Sequence, residues 1–420
     1  MRRVFKTLSR AFETDAEYLA QGTFWLTTGK VVGMAASFLL SIAYARYLSK
    51  DLYGSYRYVL SMLGIAGILA LPGIGTAIVR SVAQGFEGTF RRGAKIIFFS
   101  SFGISLVGLG FALIFFVKGS PALASGFLIG ALFVPFGEGL GNWRGYYEGK
   151  KDFRKKTFYN IASHVFYAVI MLAAIGIIFF KKLDVAPALV LLLGAYFLAH
   201  ALPNILFFRI ALRQISKDAP EDEHAIPYGL HLSMLSIPAT VANYIDSVLL
   251  YAFLGPAALA TYSFALAPIE QLKAFFSIVP EVAFPKLSEK TYRPEGEEDL
   301  KKSLVRKSLR TSVITVLGIA VYIFLAPYFF QIFFPRYIES VKFSQVFSLS
   351  LALFPFTIFN VALKAEGNIK KIYIYNVLAP VIQIAALLAL IPFYGLWGAV
   401  WGKIIGRSSN YFLPLLLFRK

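Results

Sequence analysis

The chain has no cysteine and only 4 histidines, and of its 420 residues just 15% are charged, with 23 acids set against 42 Lys and Arg. The missing cysteines exclude disulfides, thiol nucleophiles and thiolate metal sites. So little charge beside 57% hydrophobic residues excludes a water-soluble domain of this size. No phosphate-binding loop is present. The most glycine-rich string, Gly137-Glu138-Gly139-Leu140-Gly141, ends an apolar run and lacks the Lys and Ser or Thr that such a loop needs. No cleavable leader is expected, because the first apolar run follows a polar stretch and is too long. His164 and His200 stand apart from any third ligand at metal-binding spacing, so no metal site is expected.

What is present is apolar sequence in long runs. It is enough for roughly twelve spans of ~20 residues, the length a helix needs to cross ~30 Å of hydrocarbon. The runs fall at 22–47, 56–79, 94–117, 121–143, 157–180, 185–211, 229–254, 257–284, 311–334, 341–363, 372–392 and 395–418. Helices are expected because each segment must satisfy its own backbone polar groups in lipid, and alternating barrel strands are absent. Several spans carry proline, at Pro135, Pro203, Pro238, Pro268, Pro280, Pro355 and Pro380, which permits kinks that suit bending helices.

Lys and Arg set the orientation. Most of the 42 fall in the N-terminus, the C-terminus and the alternate loops after spans 2, 4, 6, 8 and 10. The positive-inside rule then puts both termini in the cytoplasm of a cell-membrane protein. The net charge of +19 is accounted for by topology and anionic lipid, so nucleic acid is not an expected partner. The opening segment interleaves Arg2, Arg3, Lys6 and Arg10 with Val4, Phe5, Leu8 and Phe12, which fits an amphipathic helix on the inner leaflet or a basic tail. The opposite loops are very short, as at Leu254 to Ala257 and Pro392 to Gly395, and leave no room for a folded external catalytic domain.

A polar stretch containing Pro220, Glu221, Asp222, Glu223 and Pro227 divides the chain near its centre, and a faint repeat flanks it. Tyr47-Leu48-Ser49-Lys50-Asp51-Leu52-Tyr53-Gly54-Ser55-Tyr56 is echoed by Phe253-Leu254-Gly255-Pro256-Ala257-Ala258-Leu259-Ala260-Thr261-Tyr262. Glu148-Gly149 with Tyr159-Asn160 is echoed by Glu366-Gly367 with Tyr375-Asn376. The expected organisation is a cytoplasmic segment 1–21, a six-helix bundle 22–213, a linker 214–228 and a second six-helix bundle 229–420. Six spans per repeat predicts a pseudo-two-fold axis along the membrane normal.

Four cations remain once the loops are accounted for: Lys30, Lys273, Lys403 and Arg407 lie well inside apolar spans. A cation in hydrocarbon is costly and usually marks a substrate or ion pathway. Lys403 and Arg407 are one turn apart and share a face of span 12. Lys273 follows Glu270 by three residues, so the two can pair locally. Lys30 is ~12 Å deep at 1.5 Å per residue, within snorkelling reach of the inner surface. Asp246, with Asn243 nearby, is the best lone carboxylate: a proton site, a Na⁺ ligand, or the structural partner of a cation such as Arg407. Glu138 lies near the inner end of span 4. His200, Asn204, Asn360 and Gln383 add polarity that serves either a cavity or helix–helix hydrogen bonding.

Several short motifs resemble a known family. Ala45-Arg46-Tyr47-Leu48-Ser49 with Tyr53-Gly54, Tyr244-Ile245-Asp246 with Thr261-Tyr262, and Phe284-Pro285-Lys286-Leu287-Ser288 are similar to the polysaccharide transporters. So are Lys364-Ala365-Glu366-Gly367-Asn368 and Gly395-Leu396-Trp397-Gly398-Ala399. That family includes the O-antigen (Wzx-type) flippases of the multidrug, oligosaccharidyl-lipid and polysaccharide exporter superfamily. The resemblance implies an all-α integral membrane fold, MATE-like, with twelve transmembrane helices in two six-helix bundles around a central cavity. It implies a monomeric flippase, not an enzyme, that works alone or beside glycan-assembly proteins. The flippase would move a polyprenyl-diphosphate-linked glycan to the outer leaflet by alternating access. No cofactor is implied beyond H⁺ or Na⁺ as coupling ion. Lys403, Arg407, Lys273 and Lys30 become candidate contacts for the diphosphate, and Asp246, Glu270 and Glu138 candidate coupling acids. Asn243, His200 and Asn360 become secondary cavity groups. The alternative within the same fold is an H⁺- or Na⁺-coupled drug or metabolite exporter.

Overall fold

A computed structural model describes residues 16–276, 297–366 and 368–418. The basic opening segment, Pro280, Gly367 and the Phe284–Ser288 motif lie outside the described residues. Every described element is helical, as a chain with lipid on its flanks requires.

In chain order the helices are α1 (Ala16–Tyr47), α2 (Lys50–Ala66), α3 (Gly73–Ala83), α4 (Gly88–Ser100), α5 (Phe102–Val117), α6 (Pro121–Gly137) and α7 (Trp143–Gly149). There follow α8 (Phe153–Lys181), α9 (Val185–Arg213), α10 (Ala225–Phe276), α11 (Glu297–Phe333), α12 (Ser340–Ser348), α13 (Ile358–Glu366), α14 (Ile369–Tyr394) and α15 (Leu396–Leu417). Three 3₁₀ segments join them, at Gly67–Ala70, Pro335–Tyr337 and Leu349–Thr357.

Among the described residues eight helices are long and apolar enough to cross a membrane, or nine if α2 and α3, bent by 50° at their junction, form one span. The difference from twelve has identifiable sources. α10 contains two helices that meet at Gly255, α6 has only 17 residues, and α15 carries Lys403 and Arg407. Helical structure is present at each of the twelve expected positions.

Two of the connections are single glycines. Gly255 (φ 82°) separates the arms of α10, and Gly395 (φ 55°) separates α14 from α15. Both sit in backbone regions that a side chain strains, so glycine is what permits reversal with no intervening loop. The outer faces are apolar, with Phe180, Val117 and Phe324 at least 70% exposed, as lipid contact requires.

By contact the chain forms two compact units. Unit 1 comprises 1–43 and 69–234, and unit 2 comprises 44–68 and 235–420. The end of α1 and all of α2 therefore pack with the second half, whereas the sequence division would place 44–68 in the first bundle. The reason is backbone contact. A Cβ on Gly54 would stand 1.9 Å from the Pro256 carbonyl, and one on Gly64 2.7 Å from the Tyr244 ring. Tyr58 stacks on Tyr251 at 3.9 Å, and Lys50 pairs with Glu339.

In unit 1, α6 packs against α5 and α9, and α9 against α8. Trp143, Tyr146 and Tyr147 of α7 are fully buried beneath them. The linker is fastened to this unit. Arg91 donates to the carbonyls of Ile215, Ser216 and Lys217, and Ser81 donates to Asp222 at 2.7 Å.

In unit 2, α15 lies along α14 through a stripe of Gly398, Gly402 and Gly406. Cβ atoms there would meet the Leu390 carbonyl, the Leu387 side chain and the Gln383 side chain at 2.2 to 2.8 Å. Small residues at every fourth position let two helices approach closely in lipid. Each cation of α15 follows a stripe glycine by one residue, about 100° round the helix. Docking the stripe on α14 thus turns Lys403 and Arg407 towards other partners.

Candidate functional site: a buried ion-pair network in unit 2

Lys403 and Arg407 are both buried, at 9% and 5% exposure, and each meets a carboxylate. Lys403 Nζ lies 2.8 Å from Asp246 Oδ2. The same oxygen accepts the Tyr262 hydroxyl at 2.8 Å, and Asp246 Oδ1 accepts the Ser247 backbone N–H at 2.7 Å. Asp246, itself 2% exposed, is therefore saturated. Arg407 pairs with Glu270 through one terminal nitrogen and donates to Ser350 Oγ at 2.8 Å through the other. Glu270 also holds Lys273 at 3.5 Å across one helical turn.

Four elements build this arrangement. The first arm of α10 supplies Asp246, its second arm Tyr262, Glu270 and Lys273, the 3₁₀ segment Leu349–Thr357 supplies Ser350, and α15 the two deep cations. Removing ions from water is expensive, and only close pairing with further hydrogen bonds offsets it. The network satisfies that condition at its deep end. At its other end Glu270 and Lys273 keep 42% and 40% of their side-chain surface accessible. Among the described residues three cations face two carboxylates, a surplus of one positive charge.

The sequence reading left Asp246 open between a coupling acid and the partner of a cation such as Arg407. In the structure its partner is Lys403, and Arg407 is taken by Glu270. The local Glu270–Lys273 pair is present. Asn243 is exposed and makes no hydrogen bond to Asp246. Asn360 donates to the Asn410 carbonyl at 3.3 Å, and Gln383 donates to the Ala242 carbonyl, so both link helices within unit 2.

The remaining candidates lie in unit 1. Lys30 is exposed on α1. His200 shares its Nδ1 with the Tyr196 carbonyl at 2.8 Å and packs edge-on to Tyr167. Glu138 is exposed where α6 ends. Close to it is a residue that counting loop charges had set aside. Arg144 turns inward and donates to Asn160 Oδ1 at 2.9 Å and Asn204 Oδ1 at 3.2 Å. Its neighbours Asn142 and Trp143, and the asparagines inside spans 5 and 6, were the sequence signals for it. Among the described residues no group of three His, Cys, Asp or Glu is placed to hold a metal ion.

An all-helical chain with apolar outer faces and a charged network inside one unit is built as a multi-pass membrane protein. The chain belongs to the family described as "Polysaccharide biosynthesis protein", whose model matches residues 19–290. No curated protein matches the sequence. Among solved structures it is similar to the lipid II flippase MurJ in an inward closed conformation, with a TM-score of 0.67 at 13% identity over 94% of this chain and 87% of that one. It is similar to a transporter of the MOP superfamily from Pyrococcus furiosus, described as having a binding pocket of reversed polarity, with a TM-score of 0.63 at 15% identity over 95% and 94%. A multidrug resistance MATE family transporter in an outward-facing conformation gives 0.57 at 17% identity over 95% and 94%. At these identities the likeness concerns the fold.

Proposed function

We propose that the protein is a flippase that moves a polyprenyl-diphosphate-linked oligosaccharide from the cytoplasmic to the outer leaflet of the cell membrane by alternating access. The family supports a role in polysaccharide assembly. The observation that carries the substrate class is the surplus positive charge of the network, accessible at Lys273 and Glu270. A diphosphate offers several charged oxygens, which suit an ammonium and a guanidinium together. In this reading the diphosphate binds Lys273 and competes with Glu270 for the outer edge of Arg407. Lys403 acts through Asp246 to hold α15 against α10. The carboxylate released from Arg407 gains affinity for a proton or Na⁺, which links substrate binding to an ion gradient.

The exporter reading shares the fold, but a site with more cations than carboxylates disfavours positively charged drugs. The discriminating experiment is reconstitution in proteoliposomes with a fluorescent lipid-linked glycan, scoring the fraction accessible from the opposite face. Wild type is expected to move the glycolipid, and Lys273→Gln to slow it tenfold or more with unchanged reconstitution yield. Wild-type transport of a cationic dye with no glycolipid movement defeats the flippase reading.

A further inference from the structure

Every cation of the unit 2 network has a carboxylate within ion-pair distance. Arg144 of unit 1 does not. Its three acceptors are neutral: Asn160 Oδ1 at 2.9 Å from Nε, and Asn204 Oδ1 at 3.2 Å and the Gly141 carbonyl at 3.4 Å from Nη1. Glu138, six residues earlier, is not within ion-pair distance of it.

The guanidinium is nevertheless rigidly set. Its carbon stands 4.5 Å from the centre of the Trp143 ring, and that ring's N–H is spent on Asn204 Oδ1 at 3.0 Å. Asn204 is itself anchored by donating to the Gly137 carbonyl at 2.7 Å. The remaining terminal nitrogen, Nη2, makes no hydrogen bond among the described residues, and the side chain is only part-buried.

Depth adds to this. Asn204 sits ~13 Å inside the C-terminal end of α9, at 1.5 Å per residue. A cation held so far in by neutral oxygens alone is unfavourable there unless an anion arrives from outside the chain. With Nε and Nη1 occupied, the two N–H groups of Nη2 are left to donate to one or two oxygens of a phosphate group.

We infer that Arg144 is an oxyanion-binding residue of unit 1, presenting Nη2 to a phosphate group, with Asn160 and Asn204 as positioning residues and Trp143 as the platform beneath it. Glu138 competes with the ligand for this charge. The source of the phosphate is the diphosphate of a prenyl-linked substrate, an assignment that rests on the proposed function; the oxyanion site itself does not. A phospholipid headgroup is the other source of the same chemistry.

The test uses the full-length protein in uncharged detergent, titrated calorimetrically with farnesyl diphosphate, inorganic pyrophosphate and dioleoyl phosphatidate. Wild type is expected to bind at least one of these probes. Arg144→Gln should weaken that binding roughly tenfold or more, the scale of one hydrogen bond to a charged group. Asn160→Asp, which neutralises the guanidinium in place, should weaken it comparably, and Glu138→Gln should tighten it several-fold. Dependence on Arg144 for the two diphosphates assigns the site to substrate, and dependence for phosphatidate alone assigns it to a lipid headgroup. The inference is overturned if wild type binds none of the three or if Arg144→Gln binds as wild type does. Should Arg144→Gln fail to fold, unchanged affinity in Asn160→Asp and Glu138→Gln overturns it equally. Loss of glycolipid transport by the wild type, with Arg144-dependent binding intact, would defeat the flippase reading and leave this site standing.

Discussion

At the scale of single residues, Lys403 and Asp246 illustrate why a buried pair is hard to take apart. Each is nearly inaccessible, and Asp246 accepts a lysine, a tyrosine and a backbone N–H. Lys403→Met strands the carboxylate, and breaking such a pair on one side costs about 3–5 kcal/mol. The expected outcome is a large fall in melting temperature in detergent. Most of that loss should return in the double variant Lys403→Met with Asp246→Leu, because a well-packed apolar pair is often neutral. A double variant no more stable than the single one would mean the pair is not what Lys403 serves. Lys273, with 40% of its side chain accessible, behaves differently: Lys273→Gln should leave the stability within about 0.5 kcal/mol of wild type, as surface substitutions do. Its effect is expected in transport alone.

At the scale of elements, close backbone approach decides the packing. A side chain on Gly406 would meet Gln383 atoms at 2.4 to 2.5 Å, and Gln383 is buried and tied to the Ala242 carbonyl, so it has little room to yield. Gly406→Val should therefore separate α15 from α14 and lower expression and melting temperature together, whereas Gly318→Ala, where a Cβ meets nothing within 4 Å, should not. Gly54 is more demanding still, since the neighbour is backbone at 1.9 Å. Gly54→Ala is expected to undock α2 from α10, which accessibility labelling of a cysteine introduced at Ser55 would report. The linker is an element of its own. The Ser81 hydroxyl, donating to Asp222 at 2.7 Å, holds that carboxyl below the usual carboxylate range, with the His224 N–H acting in the same direction. A depressed folded-state pKa means stability that is present above the unfolded value of about 3.9 and lost as pH falls through the folded one. Proteolysis within 214–228 should therefore accelerate as pH drops below about 4 in the wild type. Asp222→Asn should already be cut faster at neutral pH and show a weaker pH dependence.

At the scale of the whole molecule, the two units divide the chain differently from its midpoint. Residues 44–68 belong by contact with 235–420, so α1 and the 67–72 junction each connect one unit to the other. At that junction a 3₁₀ turn ends at Ala70, Leu71 takes φ 56° and α3 begins at Gly73. A non-glycine residue at positive φ is strained by about 1–2 kcal/mol, so Leu71→Gly should stabilise the fold or leave it unchanged, even though it removes a side chain. Thermal unfolding of that variant in detergent checks the point. A marked loss of stability would show that the leucine side chain, and not the backbone, governs the bend.

Composition and run length alone determined that this chain is helical and embedded in lipid, because those properties follow from the solvent and need no knowledge of neighbours. Lys and Arg counting and the echoed motifs added an expected orientation and an expected division in two. The short loops at Gly255 and Gly395 were likewise visible as an absence of residues between spans. Partners were not legible. Spacing placed Lys403 and Arg407 on one face but could not say that α14 would take the glycine stripe beside them, nor that Asp246 and Glu270, from two arms of α10, would face that side. Arg144 was counted as a loop charge because it directly follows span 4, expected over 121–143, whereas helix α6 already ends at Gly137 and the turn that follows carries the guanidinium back to Asn160 and Asn204. Helical periodicity specifies which face a side chain occupies, while the identity of whatever meets that face depends on contacts between segments far apart in the chain.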